Sequence, residues 1–312
     1  MSLVGCKGVD ISSSNGNVDM SKIKKAGYSF VMIRCGFGSD MSSQDDSQFE
    51  NNVKKAEAAG LPWGVYLYSY ATSTSEAKSE AEHVKRLLKG KKPTLPVAFD
   101  MEDADGYKNK NGAMKKSLIT DICKTFLSEI KKSGYYPMLY TSLSWIGTYI
   151  SDELVASYDL WLAQWNNKPS YTKSNMGMWQ YGGEVNYLES NSIDGVGTID
   201  KDRCYKNYPA IIKNNGYNNW PKPKKATKTV PCLELRGFKN GHKSRGVLAL
   251  KELLIIAKRK KIITQTVDES IVFGNNTEKA VNQVLKIGGY KQTGIAGPKF
   301  IKYLSKLIRK KL

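Results

Sequence analysis

Leu95-Pro-Val-Ala-Phe-Asp-Met-Glu-Asp103 is an apolar run that ends in acid. Its composition predicts a buried strand with two carboxylates at its C-terminal end. Side chains alternate along a strand, so Ala98, Asp100 and Glu102 share one face, and Val97, Phe99 and Met101 the other. Two strand steps separate the acids by about 6.6 Å at Cα level. Carboxyl groups this close, with apolar residues behind them, cannot both titrate normally: desolvation and repulsion hold a proton on one. A protonated carboxyl beside an ionised one is the pairing that glycosidic-bond cleavage uses. The same letters also fit a solvated strand end followed by a helix cap, since Asp103 and Asp105 crowd the same turn.

The neighbouring segments repeat one pattern. Strands are predicted over 7–12, 28–35, 62–71, 95–101 and 135–141, and helices over 19–25, 44–59, 73–89 and 114–132. Helix, glycine, then apolar strand recurs at Gly27, Gly60, Gly90 and Gly134, where a left-handed residue ends each helix. Beyond Tyr149 the helices shrink, and three more strands are predicted over 159–165, 177–181 and 196–200. Strands alternating with helices imply parallel pairing. The predicted fold is α/β: an irregular TIM-like β/α barrel with its last helices short or missing.

A barrel gathers its reactive groups at the C-terminal ends of the strands. Those ends carry Asp10, Arg34, Tyr68 with Tyr70, Asp100 with Glu102, Tyr140, Gln164 with Trp165, Gln180 with Tyr181, and Asp200. Four carboxylates and a ring of aromatics would converge on one mouth, where buried polar groups are costly unless they serve a site. Tyr66, Tyr68 and Tyr70 share one face and equally suit the barrel filling. Trp161 and Trp179 read as packing, and Arg34 as a carboxylate partner, a ligand for substrate, or both.

Charge divides the chain. Of 48 Lys+Arg and 29 Asp+Glu, residues 1–208 hold 25 and 24, whereas 209–312 hold 23 and 5, a net +18. Two such segments predict two functional units, and the cationic one seeks a polyanion: nucleic acid, an anionic membrane, or a wall bearing phosphate-rich polymers. Lysines far outnumber arginines there, which disfavours specific nucleic-acid readout. No run of 18 apolar residues occurs, so no membrane span is predicted. Cys6, Cys35, Cys123, Cys204 and Cys232 are scattered and odd in number, which fits reduced, buried thiols. With only His83 and His242, far apart, neither a zinc site nor any other metal or cofactor is expected. The start, Met1-Ser-Leu-Val-Gly-Cys-Lys-Gly-Val-Asp10, enters a strand directly and lacks a signal-peptide layout, which predicts synthesis in a host cytoplasm and action after release.

Five motifs agree in order and spacing with one family. Gly8-Val-Asp10-Ile-Ser, Phe99-Asp100-Met-Glu102, Trp161-Leu-Ala-Gln-Trp165, Met178-Trp-Gln-Tyr181 and Thr198-Ile-Asp200 resemble family 25 of the glycoside hydrolases, the muramidases of phage endolysins and bacterial autolysins. The resemblance covers about residues 4–208. It implies hydrolysis of the β-1,4 bond between N-acetylmuramic acid and N-acetylglucosamine in bacterial peptidoglycan. It also implies Glu102 as general acid, with Asp10, Asp100 and Asp200 around it and Asp100 orienting the substrate's acetamido group. Asp202 departs from the pattern, standing where the family often has an amide.

The last third is expected to hold a linker, 209–231, rich in Asn, Lys and Pro and read as an extended tether. A basic helical domain is expected over 232–312, with helices at 246–260, 276–285 and 298–308. Val267-Asp-Glu-Ser-Ile-Val-Phe-Gly274 and Gly294-Ile-Ala-Gly-Pro298 resemble small three-helix peptidoglycan-binding domains. That resemblance implies a cell-wall-binding module with anionic wall polymers as partners. A nucleic-acid-binding role for the basic domain is the alternative, and the oligomeric state is left open.

Overall fold

The computed structural model describes residues 2–183, 185–222 and 237–310. The chain forms two compact units, Met1–Pro223 and Lys224–Leu312.

The first unit is an eight-stranded closed barrel. Its strands are β1 (Lys7–Ile11), β2 (Val31–Phe37), β3 (Trp63–Tyr68), β4 (Val97–Asp100), β5 (Pro137–Ser142), β6 (Asp159–Ala163), β7 (Met176–Gly182) and β10 (Asp200–Cys204). A small hairpin of β8 (Ser192–Ile193) and β9 (Gly197–Thr198) precedes the last. Around the barrel run α1 (Met20–Lys25), α2 (Phe49–Ala59), α3 (Thr74–Leu87), the single-turn α4 (Tyr107–Lys110), α5 (Lys116–Lys132) and α6 (Asp152–Ser157). Gly27, Gly60, Gly90 and Gly134 all have φ between +63° and +91°, as the recurring helix stops require. The N-caps are short polar residues: Asp19 accepts from Ser21 and Lys22 N–H, and Ser73 from Glu76 N–H.

Parallel pairing holds from β1 through β2 to β7, but β10 runs antiparallel to both β1 and β7. This corrects the expected all-parallel barrel and moves the last strand from 196–200 to Asp200–Cys204. A hairpin instead of a crossover helix joins β7 to β10, and a short connection reverses direction. Asp200 therefore opens its strand rather than closing it, yet still lies at the mouth, opposite Asp10 in the β1–β10 register.

Alternation separates two cores. Val9, Val31, Ile33, Val65, Leu67, Val97, Phe99, Leu139, Leu160 and Leu162 face outward and pack under the helices. The Phe99 ring stacks on Phe126 of α5 at 3.9 Å, an arrangement that contributes about 0.5–1.5 kcal/mol beyond its area burial. Phe30, Met32, Leu95, Ala98, Met138, Trp161, Met178 and Cys204 fill the inside. The inner surface thus grades from apolar at the floor to charged at the mouth.

The floor is closed by residues expected in the tether. Helix α7 (Tyr208–Asn215) buries Tyr208 and Ile212 in the inner core. The Asn218 side chain then accepts from Tyr136 N–H and donates to the Pro93 and Leu95 carbonyls. The start of the linker accordingly belongs to the first unit, because asparagine can cap strand-end carbonyls that water would otherwise satisfy. Residues 223–236, which hold the rest of the expected tether and Cys232, lie outside those described.

The second unit packs α8 (Arg245–Arg259), α9 (Asn275–Ile287) and α10 (Pro298–Lys310) around Phe238, Val247, Leu250, Leu254, Phe273, Val281, Val284, Phe300 and Leu304. Ser244 caps α8 through Val247 N–H. Its one fully buried ammonium, among the described residues, is that of Lys251, paired with Asp268 at 2.7 Å. No helix among the described residues is long and apolar enough to cross a membrane.

Candidate active site

At the mouth of the barrel lies a cleft of about 180 Å³, lined by Asp10, Arg34, Tyr66, Tyr68, Asp100, Glu102, Tyr140, Trp161, Gln180 and Asp200. Each of its acids arrives by strand geometry. Asp10 ends the inner face of β1, Asp100 ends β4 level with Tyr68 and Tyr140, and Glu102 follows two residues later on the same face. Asp10 and Asp100 are almost wholly buried, whereas Glu102 and Asp200 are half-buried and reach the open side.

Gln180 is the node of the network. Its Oε1 accepts from Tyr140 Oη at 3.0 Å and Trp165 Nε1 at 3.1 Å. Its Nε2 donates to Asp10 Oδ2 at 2.9 Å and Asp200 Oδ2 at 3.5 Å. Two donors meet the carbonyl and two carboxylates meet the amide nitrogen, so only this orientation of the amide satisfies all four. Behind it, the fully buried Asp202 accepts from Trp161 Nε1 at 2.8 Å and lies within electrostatic reach of Asp10.

Burial first, and the neighbouring carboxylates second, push these acids up. Asp10 lies well above the usual carboxylate range because of burial and then Asp200 and Asp202. Asp100 is raised by burial and then Glu102, against the opposing pull of Lys108 and Arg34. Burial also raises Glu102, with Lys108 opposing and Asp200 adding to the rise. Burial drives Asp202 to about 8, with Trp161 opposing. Oδ1 of Asp100 is a buried oxygen with no hydrogen-bond partner among the described residues. An oxygen left this way costs roughly 1–3 kcal/mol and favours an incoming N–H or O–H donor.

Most of the expected mouth residues meet here. Arg34 lines the cleft, and its guanidinium is held by Asp46 at 2.8 Å and Ser13 at 2.9 Å, so it is both a carboxylate partner and a wall of the site. Tyr70 stands at the rim, its ring 5.1 Å from that of Tyr68 and its hydroxyl donating to Asp105 at 2.7 Å. Trp165, 37% exposed, is also at the rim.

Two expected residues lie elsewhere. Tyr181 is buried on the outer face of β7 and bonds Glu189, because its neighbour Gln180 takes the inner face. Gln164 is turned into the following loop, where it bonds the Ser170 hydroxyl and N–H at 2.8 and 2.7 Å. Conversely, Tyr66 and Trp161, read as filling or packing, line the cleft, and Asp202 supports it from below. Period-two alternation from Tyr68 and Gln180 was the available signal for Tyr66 and against Tyr181. Among the described residues no group of three or more His, Cys, Asp or Glu is arranged to hold a metal ion.

A chain of this fold has known counterparts. The sequence profile of the glycosyl hydrolases family 25 matches residues 9–189. The chain belongs to this family. As a glycoside hydrolase it is an enzyme, and the profile match covers every cleft residue except Asp200, which geometry adds. Lysozyme M1 of Streptomyces globisporus is 25% identical over 210 residues, 64% of this chain and 67% of that protein. The autolytic lysozyme of Clostridium acetobutylicum is 27% identical over 198 residues, 63% of this chain and 55% of its own length. Among solved structures, the CTP1L endolysin shares the fold with a TM-score of 0.54 at 23% identity, over 67% of this chain and 70% of that one.

Proposed function

We propose that this glycoside hydrolase cleaves bacterial peptidoglycan at the β-1,4 bond between N-acetylmuramic acid and N-acetylglucosamine. One observation carries the reading: the half-buried Glu102 stands two residues from the buried Asp100, whose Oδ1 has no hydrogen-bond partner among the described residues. Glu102, held protonated by burial, gives its proton to the leaving oxygen. Asp100 accepts the N–H of the substrate's 2-acetamido group and aims its carbonyl at the anomeric carbon, the substrate-assisted variant of glycoside hydrolysis. Asp200, held by Gln180, presents negative charge to the developing oxocarbenium ion, and Asp10, bonded to the same amide nitrogen, fixes Gln180 in place. Tyr68, Tyr70 and Trp165 offer ring faces to the sugars at the rim. The two lysozymes it resembles support the substrate class.

The basic second unit takes the role of wall binding. Its excess of lysine suits anionic wall polymers, and a linked module raises the enzyme's effective concentration at an insoluble substrate. Action at the wall follows from the same reading.

Mass spectrometry of a digested, purified wall tests the bond broken: new reducing ends on N-acetylmuramic acid are expected. Glu102→Gln and Asp100→Asn should each lower their release by about 10²–10⁴-fold while the melting temperature holds. Reducing ends on N-acetylglucosamine, or full activity in either variant, would defeat the assignment.

A further inference from the structure

The geometry points to Lys108 as a positioning residue of the hydrolysis, its buried ammonium tying together the two loops that carry the rim tyrosines and the acid Glu102. The inference rests on the muramidase reading of the cleft.

Lys108 is 1% exposed and sits in α4, the single turn that follows β4. Its Nζ donates to the Glu102 carbonyl oxygen at 2.9 Å and to the Ser69 carbonyl oxygen, and lies 5.6 Å from the centre of the Tyr68 ring. Main-chain bonds of this kind fix the peptide on which the acid hangs, not only its side chain. The turn is itself anchored, because the Asp103 carboxylate accepts from Lys108 N–H at 2.7 Å and Asn109 N–H at 3.0 Å.

The loop after β3 is also held by α3. Glu80 of α3 accepts from the Ser69 hydroxyl at 2.9 Å and from Tyr70 N–H at 2.7 Å. Tyr68 and Tyr70 return to the acid's loop through Ala104 N–H at 3.2 Å and Asp105 at 2.7 Å. Lys108 is thus the group that grips both loops at their roots.

Burying an ammonium is expensive, and packing alone would be served by a methionine. The charge instead faces the acids. Glu80, Asp100 and Asp103 surround it, Cys123 of α5 packs nearby, and it opposes the rise of Asp100 and Glu102. Arg34, Asp105 and Asp200 are the other charged groups that act on these two acids. Without the cation Glu102 keeps its proton to higher pH, so the alkaline limb of the rate profile moves up.

The test is steady-state kinetics of the full chain on soluble glycan fragments from a purified wall, as a function of pH. Lys108→Met is expected to lower kcat on the order of 10- to 100-fold, as a small misplacement of a reacting group does, with KM changed less than about three-fold. Its alkaline limb should shift to higher pH, while Lys108→Arg keeps the limb in place. If Lys108→Met does not fold, Lys108→Gln, neutral but able to donate, should show the same shift of the alkaline limb with a smaller loss of kcat. A folded neutral variant with the wild-type limb and kcat overturns the inference, as does a loss matched only by its unfolded fraction. Inert wild-type enzyme would instead sink the muramidase reading.

Discussion

Asp10 and Asp202 occupy adjacent strands, both buried and each within electrostatic reach of the other. Burial raises Asp202 from 3.8 to about 8, against the opposing pull of Trp161. A carboxyl raised in this way holds its proton more tightly folded than unfolded. Its contribution to stability is full below the ordinary value and is lost as pH climbs through the folded one. Asp202→Asn keeps an oxygen for Trp161 Nε1–H and removes the group that must lose its proton in the buried site. The variant should therefore melt several degrees above wild type at pH 8, with the gap closing by pH 5, as scanning calorimetry would read. A variant less stable at both pH values would show that burial of the Asp202 carboxyl does not set this pH dependence. Asp202 also marks where single residues stop being legible. Asp100 and Glu102 announce themselves because an apolar run precedes them, whereas Asp202 follows Lys201 in a polar stretch and looks solvated. Lys201 is in fact buried, its ammonium over the Tyr28 ring at 4.3 Å.

At the scale of elements, the helix-glycine-strand recurrence placed β2 to β5 to within a few residues, because each helix needs a left-handed stop and each parallel strand an apolar run. The last strand escaped that logic. Asp200-Lys-Asp-Arg-Cys204 has no apolar alternation, and its pairing is decided by the strands beside it. Reversal of β10 brings Asp200 to the mouth, where it faces the end of β7. Gly183 makes that approach feasible: a Cβ there would strike Asp200 Oδ1 and come within 2.6 Å of the Trp165 ring. Gly183→Ala should push both groups aside, lowering kcat/KM on soluble glycan roughly ten-fold or more. The melting temperature should move by less than about 4 °C, the change that accompanies roughly 1 kcal/mol in a unit of this size. Wild-type kinetics in that variant would show that Asp200 need not sit where β10 puts it. Gln164 and Tyr181 illustrate the complementary limit, since naming neighbouring residues at a strand end necessarily sends one of each pair away from the cleft.

For the whole molecule, what matters is where the enzyme ends and the second unit begins. Composition placed the boundary at 208, because Asn, Lys and Pro in that density look unable to pack. The structure gives α7 and the Asn218–Trp220 segment to the barrel instead, with Asn219 Nδ2 bonding the Lys91 carbonyl at 2.8 Å and Trp220 Nε1 the Pro93 carbonyl at 3.2 Å. Two truncations separate the roles. A chain ending at residue 207 loses Tyr208 and Ile212 from the inner core, where each large buried apolar side chain removed costs about 2–5 kcal/mol. It should melt far below the full chain and lose activity on every substrate. A chain ending at residue 222 keeps the floor and sheds the cationic unit. It should hydrolyse soluble glycan at close to the full rate yet clear whole walls more slowly. Added salt should narrow that difference, because screening weakens attraction between exposed charges. Equal loss on soluble and insoluble substrates would argue that the second unit serves the barrel and not the wall.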